Sequence, residues 1–134
     1  MAFLGITYSL DRDENFDKFV DSLDIPEDKK QLLLSFKPSQ SIKKEGDGYV
    51  LSTTSPGGGN KDLKFQDGVE FDEEVAPGVV AKSTFKVEGN VVTQVQNLGD
   101  LVLTYKREYS NDQLVVVLTS SKWDGVARRY YKSV

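Results

Sequence analysis

The 134-residue chain has no cysteine and no histidine. Without cysteine there is no disulfide, no thiolate nucleophile and no Cys-ligated metal, which fits a cytosolic protein. Without histidine, the usual general base near neutral pH is missing, together with the commonest metal ligand. No Gly-x-Ser-x-Gly elbow supplies a serine nucleophile instead. Long apolar runs are also lacking. The start, Met1-Ala-Phe-Leu-Gly-Ile-Thr-Tyr8, has no basic segment leading into an apolar stretch, so neither a signal peptide nor a membrane span is expected. The formal net charge of −4 leaves no global basic field to attract nucleic acid. These absences point away from an enzyme, a metalloprotein or a nucleic-acid binder, and toward a soluble cytoplasmic protein without a cofactor.

Hydrophobic residues make up 38 % of the chain, a little low for a globular domain. A hollow interior would have that effect, and so would ordinary surface variation. The length suits a single domain spanning residues 1–134. Residues 5–12 alternate loosely and read as a first strand. The period then changes: Phe16, Phe19, Val20 and Leu23 follow the i, i+3, i+4, i+7 pattern of one helix face. Asp13 to Asn15 offers N-cap candidates. Pro26 suits the first turn of a second helix, with Glu27 and Asp28 near its start and Leu32, Leu33 and Phe36 on its apolar side. Phe36-Lys37-Pro38 ends it, because a residue before proline avoids the helical region.

From Ser39 onward, turn signals recur at intervals of about 8 to 12 residues, the spacing of antiparallel hairpins. They are Glu45-Gly-Asp-Gly48, Ser55-Pro-Gly-Gly-Gly-Asn60, Asp67-Gly68, Ala76-Pro-Gly78, Glu88-Gly-Asn90, Leu98-Gly-Asp100, Asn111-Asp112 and Trp123-Asp-Gly125. The count is about ten strands with one helical hairpin inserted after the first. Two helices cannot cover so large a sheet, so it must close on itself or fold into two layers. A closed barrel of this size can hold a ligand cavity, with the helical segment at about 15–36 as a lid. Its apolar stripe would face the cavity, and Lys18, Lys29 and Lys30 would face water or a membrane surface.

Two arginines interrupt this pattern. In Leu101-Val-Leu-Thr-Tyr-Lys-Arg-Glu-Tyr109, alternation puts Arg107 on the face of Leu103 and Tyr105. In Val126-Ala-Arg-Arg-Tyr-Tyr131, it puts Arg129 with Ala127 and Tyr131, and turns Arg128 outward. If the shared face is the interior, two buried cations need an accepting partner. A ligand carboxylate held by Arg107, Arg129 and the Tyr131 hydroxyl would be one. Arginine suits this role because its planar fork binds carboxylates bidentately and stays charged. Whether both arginines touch the head group, or one reaches it through water, stays open.

Other motifs carry less. In Phe71-Asp-Glu-Glu74, Asp72 and Glu74 share one face, most simply the solvent, and the spacing of a calcium loop is missing. Gly57-Gly-Gly59 lacks the Lys-Ser or Lys-Thr of a phosphate loop and reads as a flexible turn. Trp123 reads as a hairpin residue without a functional argument.

In order and spacing, several segments together resemble the intracellular fatty acid-binding proteins, the lipid-carrier branch of the calycins. They are Ala2-Phe-Leu-Gly-Ile-Thr-Tyr-Ser-Leu10, Glu14-Asn-Phe-Asp17, Lys37-Pro38, Gly68-Val-Glu-Phe-Asp-Glu73, Lys106-Arg-Glu-Tyr109 and Arg129-Tyr-Tyr131. Ser120-Ser-Lys-Trp-Asp-Gly-Val-Ala127 with its Arg-Arg-Tyr-Tyr looks most like the insect members. The resemblance implies an all-β, ten-stranded antiparallel up-and-down barrel (a β-clam) capped by a helix-turn-helix lid. It implies a carboxylate clamp at Arg107, Arg129 and Tyr131, and a cavity or portal lined by Phe16, Val20, Pro38, Ser55, Ala76, Val116 and Leu118. The implied ligand is a long-chain fatty acid, with a retinoid or carotenoid as the alternative. The expected protein is a monomer that makes transient membrane contact through its lid. Three departures stand out: no basic residue at Pro77-Gly78-Val79, no phenylalanine at the Gly57-Gly-Gly59 turn, and a final hairpin about two residues longer than in vertebrate forms.

Overall fold

The structure, a computed structural model, describes residues 2–55, 59–76 and 78–134, with Ala76 described by its backbone alone. Alternation does most of the building. In β8 (Val102–Tyr109), Leu103, Arg107 and Tyr109 are buried while Lys106 and Glu108 are exposed. In β7 (Val91–Asn97), Val92, Gln94 and Gln96 are buried. Each strand has one inward set, so the sheet must wrap around those sets.

It does so with ten antiparallel strands. Besides β7 and β8 these are β1 (Tyr8–Glu14), β2 (Ser39–Glu45), β3 (Gly48–Thr54), β4 (Asn60–Phe65), β5 (Phe71–Ala76), β6 (Val79–Glu88), β9 (Gln113–Ser120) and β10 (Trp123–Ser133). The sheet order is β4-β3-β2-β1-β10-β9-β8-β7-β6-β5. β1 thus lies against β10, joining the two ends of the chain, and β4 and β5 are the ends of the sheet. Stacked aromatics bridge these two edges: Phe65 lies 4.1 Å from Phe85, Phe71 lies 6.0 Å from Phe85, and Tyr49 backs Phe65 at 5.3 Å. The result is a nearly closed barrel.

At one end, Phe3 stacks on Tyr109 at 4.1 Å, with Tyr8, Val92 and Leu114 buried in the same core. At the other end sit α1 (Phe16–Asp21) and α2 (Glu27–Ser35). α1 buries Phe16, Phe19 and Val20, three of the four residues of the expected stripe, while Leu23 is partly buried. Its N-cap is Asn15, with φ +60° and no side-chain cap bond; the Asn15 amide instead donates to the Val126 carbonyl at 3.3 Å. Asparagine is one of the few residues that tolerate this left-handed turn.

The structure corrects three expectations. The first strand runs from Tyr8 to Glu14 rather than over residues 5–12, with a bulge between Leu10 and Arg12. On α2, Leu32 is 61 % exposed, and Leu34 is the leucine packed against the core. α2 packs chiefly against α1, and the expected Leu33 and Phe36 do line the cavity. The last turn lies at Ser121-Lys122, and Trp123 already belongs to β10. The register shifts within that strand between Trp123 and Ala127. Of the turns named above, Pro56, Gly57, Gly58 and Pro77 lie outside the described residues.

Candidate functional site

The strand register brings the two arginines together. Arg107 on β8 and Arg129 on β10 both pair with Val116 on β9, one from each side. Two strand spacings, roughly 10 Å, separate their backbones. Both are buried, at 8 % and 5 % exposure, and Tyr131 is buried at 3 %. Arg128 points outward and pairs with Glu14 at 3.0 Å.

Their partners differ. Arg129 Nε donates to Asp13 Oδ1 at 2.7 Å, and its Nη2 donates to the Phe36 carbonyl at 2.8 Å. Its guanidinium also lies 3.9 Å from the centre of the Phe16 ring, a cation–π contact. Asp13 precedes α1 and Phe36 follows α2, so Arg129 ties both ends of the helical segment to the barrel wall. Arg107 is less committed. Its Nε donates to Gln40 Oε1 at 3.1 Å, whereas its Nη1 is buried and has no partner among the described residues. The other buried, unpartnered polar atom among them is the hydroxyl of Tyr109, two residues along the same face of β8.

Gln40 also hydrogen-bonds Tyr131, and so links β2 to both β8 and β10. Burial raises the Tyr131 pKa above that of a free phenol; Arg129, Arg107 and the Gln40 bond pull it part of the way back. At neutral pH this hydroxyl is therefore protonated and able to donate.

These groups face open space. A compartment of about 220 Å³ under α1 and α2 is lined by Phe16, Val20, Pro38, Gln40, Val116, Leu118, Arg129 and Tyr131, among others. A second, of about 510 Å³, is lined by Leu51, Ser55, Leu63, Glu73, Gln94 and Gln96, among others. Phe36, Thr53, Tyr105 and Arg107 line both, so the two compartments adjoin at these residues. Ala76 lies on β5, but its side chain is outside the described residues.

Asp13, Gln40 and Glu73 were missed in the sequence. Asp13 and Gln40 gave no signal, being an acid before a helix and an amide in a short polar strand. Glu73 could have been found: if Asp72 and Glu74 face solvent, alternation turns Glu73 inward. Trp123 acquires a place as well, with its ring 6.0 Å from Phe19 and edge-on to it, against the lid.

Comparison with known proteins agrees with this architecture. The sequence model of the lipocalin / cytosolic fatty-acid binding protein family matches residues 1–129. Fatty acid-binding protein 2 of Manduca sexta is 48 % identical over 133 residues, covering 99 % of this chain and all of the relative. The crystal structure of the fatty-acid-binding protein isolated from Manduca sexta superposes with a TM-score of 0.87 at 49 % identity, covering 97 % of this chain and 98 % of that one. A Schistosoma mansoni fatty acid binding protein in complex with arachidonic acid superposes with a TM-score of 0.88 at 27 % identity, covering 99 % and 96 % of the two chains.

Proposed function

Because the chain belongs to the lipocalin / cytosolic fatty-acid binding protein family, whose members are carriers rather than enzymes, we propose that it carries a long-chain fatty acid in its barrel cavity, with Arg107 as the direct contact of the carboxylate. Support for fatty acid as the ligand comes from the relatives bearing that name. Support for the contact is a single observation: Arg107 Nη1 is a buried cationic donor without a partner, at the join of the two compartments. A carboxylate satisfies it with a charge-assisted bond. Tyr131 completes the grip from β10, held beside Arg107 by Gln40. Arg129 contributes field rather than a free donor, since Asp13 and Phe36 engage it.

Affinity comes mainly from the alkyl chain, at about 0.8 kcal/mol per methylene removed from water. The cation decides which head group is accepted, because ion pairing must offset desolvation of both partners. A carotenoid without an anionic group would leave Arg107 Nη1 unpaired, which favours the fatty acid over that alternative. The proposed setting is the cytoplasm and the proposed state a monomer, with no cofactor and no nucleic-acid partner. The test is calorimetric titration with stearate and with octadecanol, for the native chain and for Arg107→Leu. Stearate binding should weaken about tenfold or more, the scale of one charged hydrogen bond, while the alcohol changes little. Equal losses for both ligands would sink the assignment.

A second reading concerns delivery. Leu32 is 61 % exposed on α2, near Lys29 and Lys30. An exposed apolar residue close to a lysine suits contact with an anionic bilayer, although Lys30 is itself paired with Asp21. Transfer of a fluorescent fatty acid to anionic vesicles should speed up with vesicle concentration and slow in Leu32→Ser. A rate independent of vesicle concentration excludes this route.

A further inference from the structure

The cavity has a second polar pole, away from the arginines. Glu73 on β5 is buried at 6 % exposure and lines the larger compartment. Three side chains converge on one of its oxygens. Ser83 Oγ donates to Oε1 at 2.8 Å, Gln94 Nε2 at 3.1 Å and Gln96 Nε2 at 3.2 Å. Ser83, Gln94 and Gln96 are themselves buried, at 0 %, 3 % and 7 % exposure. Among the described residues no hydrogen bond reaches the other oxygen, Oε2. The register sets the cluster out as a diagonal: Glu73 pairs with Ala81, Ser83 with Gln96 and Phe85 with Gln94, so the polar residues of β5, β6 and β7 step across the inward face and converge through their side chains.

A carboxylate only accepts hydrogen bonds. Burying one inside the barrel is costly unless it is satisfied. The three donors satisfy Oε1 and hold the group rigidly in one orientation. This leaves Oε2 as an oriented acceptor on the cavity side, unsuited to a plain hydrocarbon and suited to a ligand hydroxyl. Glu73 lies three strands from Arg107 and is also displaced along the strand direction, since Arg107 is level with Val87 of β6 and Glu73 with Ala81. A ligand with its carboxylate at Arg107 would therefore meet Glu73 part-way along its chain. Tyr105 stands between the two poles: its phenol is raised mainly by burial, lowered by Arg107 and raised by Glu73.

We propose that Glu73, held by Ser83, Gln94 and Gln96, is a subsite for a hydroxyl on the ligand's alkyl chain, so that the cavity selects mid-chain hydroxylated fatty acids over plain ones of equal length. This rests on the carboxylate being held at Arg107. Specificity arises because a buried hydroxyl with a charged acceptor is stabilised, whereas the same hydroxyl in a plain apolar tunnel is penalised.

The test compares Kd values for stearate, 12-hydroxystearate and 2-hydroxystearate in the native chain, Glu73→Leu and Glu73→Gln. In the native chain 12-hydroxystearate should bind at least as tightly as stearate. In Glu73→Leu that ratio should fall about tenfold, the scale of a hydrogen bond to a charged group. Binding of 2-hydroxystearate relative to stearate should not respond, because its hydroxyl stays at the arginine pole. Should the leucine variant not fold, Glu73→Gln keeps the shape and removes the charge, and a drop in the ratio of about threefold is expected. Ratios unchanged by either substitution overturn the subsite while leaving fatty acid binding intact. If the native chain does not bind stearate at all, the parent assignment fails and the subsite fails with it.

Discussion

Asp13 and Arg129 face each other across the β1–β10 ladder and are joined at 2.7 Å, with the Asp13 side chain 25 % exposed. One arm of the proposed clamp thus already has an acid of the protein as its partner. Replacing the acid should release that arm. In Asp13→Asn, stearate is expected to bind about three- to tenfold more tightly, as an opposing buried charge is removed. Octadecanol serves as the control. If it tightens equally, the pair governs access through the lid rather than head-group charge.

Arg129 should matter more to the fold than Arg107. It ties Asp13, Phe16 and Phe36 together, while Arg107 makes one side-chain bond, to Gln40. Arg129→Leu should lower unfolding free energy by about 2 kcal/mol, because a buried pair is broken and its acid left behind. Arg107→Leu should cost less in the ligand-free protein. Urea unfolding of the two variants decides the order, and an equal or reversed order contradicts the latch.

Trp123 is the one tryptophan in the chain and touches the lid through Phe19. Its fluorescence should therefore respond when ligand settles beneath α1. A methyl group at Gly125 would collide with the indole ring. Gly125→Ala should push the ring off Phe19, red-shift its emission and lower stability by about 1–3 kcal/mol, as overpacking does. Unaltered emission in this variant would mean that the ring and the lid are not coupled.

Alkaline pH should unfold the protein. Tyr8, Tyr105, Tyr109 and Tyr131 all hold their protons more tightly than a free phenol near 10, with burial the leading cause in each. Below about pH 10 both states are neutral and the contribution is complete. Above it the unfolded chain ionises first, binds fewer protons and gains stability relative to the fold. Stability should fall steadily above about pH 10. Tyr109→Phe should flatten that fall, and because it removes a buried hydroxyl without a partner, it should cost little or nothing at neutral pH. A pH series of melting curves checks both points.

Much of this protein is determined by sequence alone, for local physical reasons. The period-2 alternation with regular turn signals specifies antiparallel strands, and Phe16, Phe19 and Val20 specify the buried face of α1. Arg107, Arg129 and Tyr131 are legible as inward residues because alternation fixes a face once a single neighbour is apolar. Register and helix rotation are different, since they depend on contacts between segments far apart in the chain. Only the folded sheet sets both arginines opposite Val116, brings Asp13 to Arg129 and Gln40 to Arg107, and aligns Glu73 with Ser83, Gln94 and Gln96. Only the docking of α2 decides that Leu34 packs and Leu32 is exposed. The two inward cations read from the sequence thus prove unequal: Arg129 is occupied by the protein's own acid, and Arg107 keeps a buried donor without a partner among the described residues.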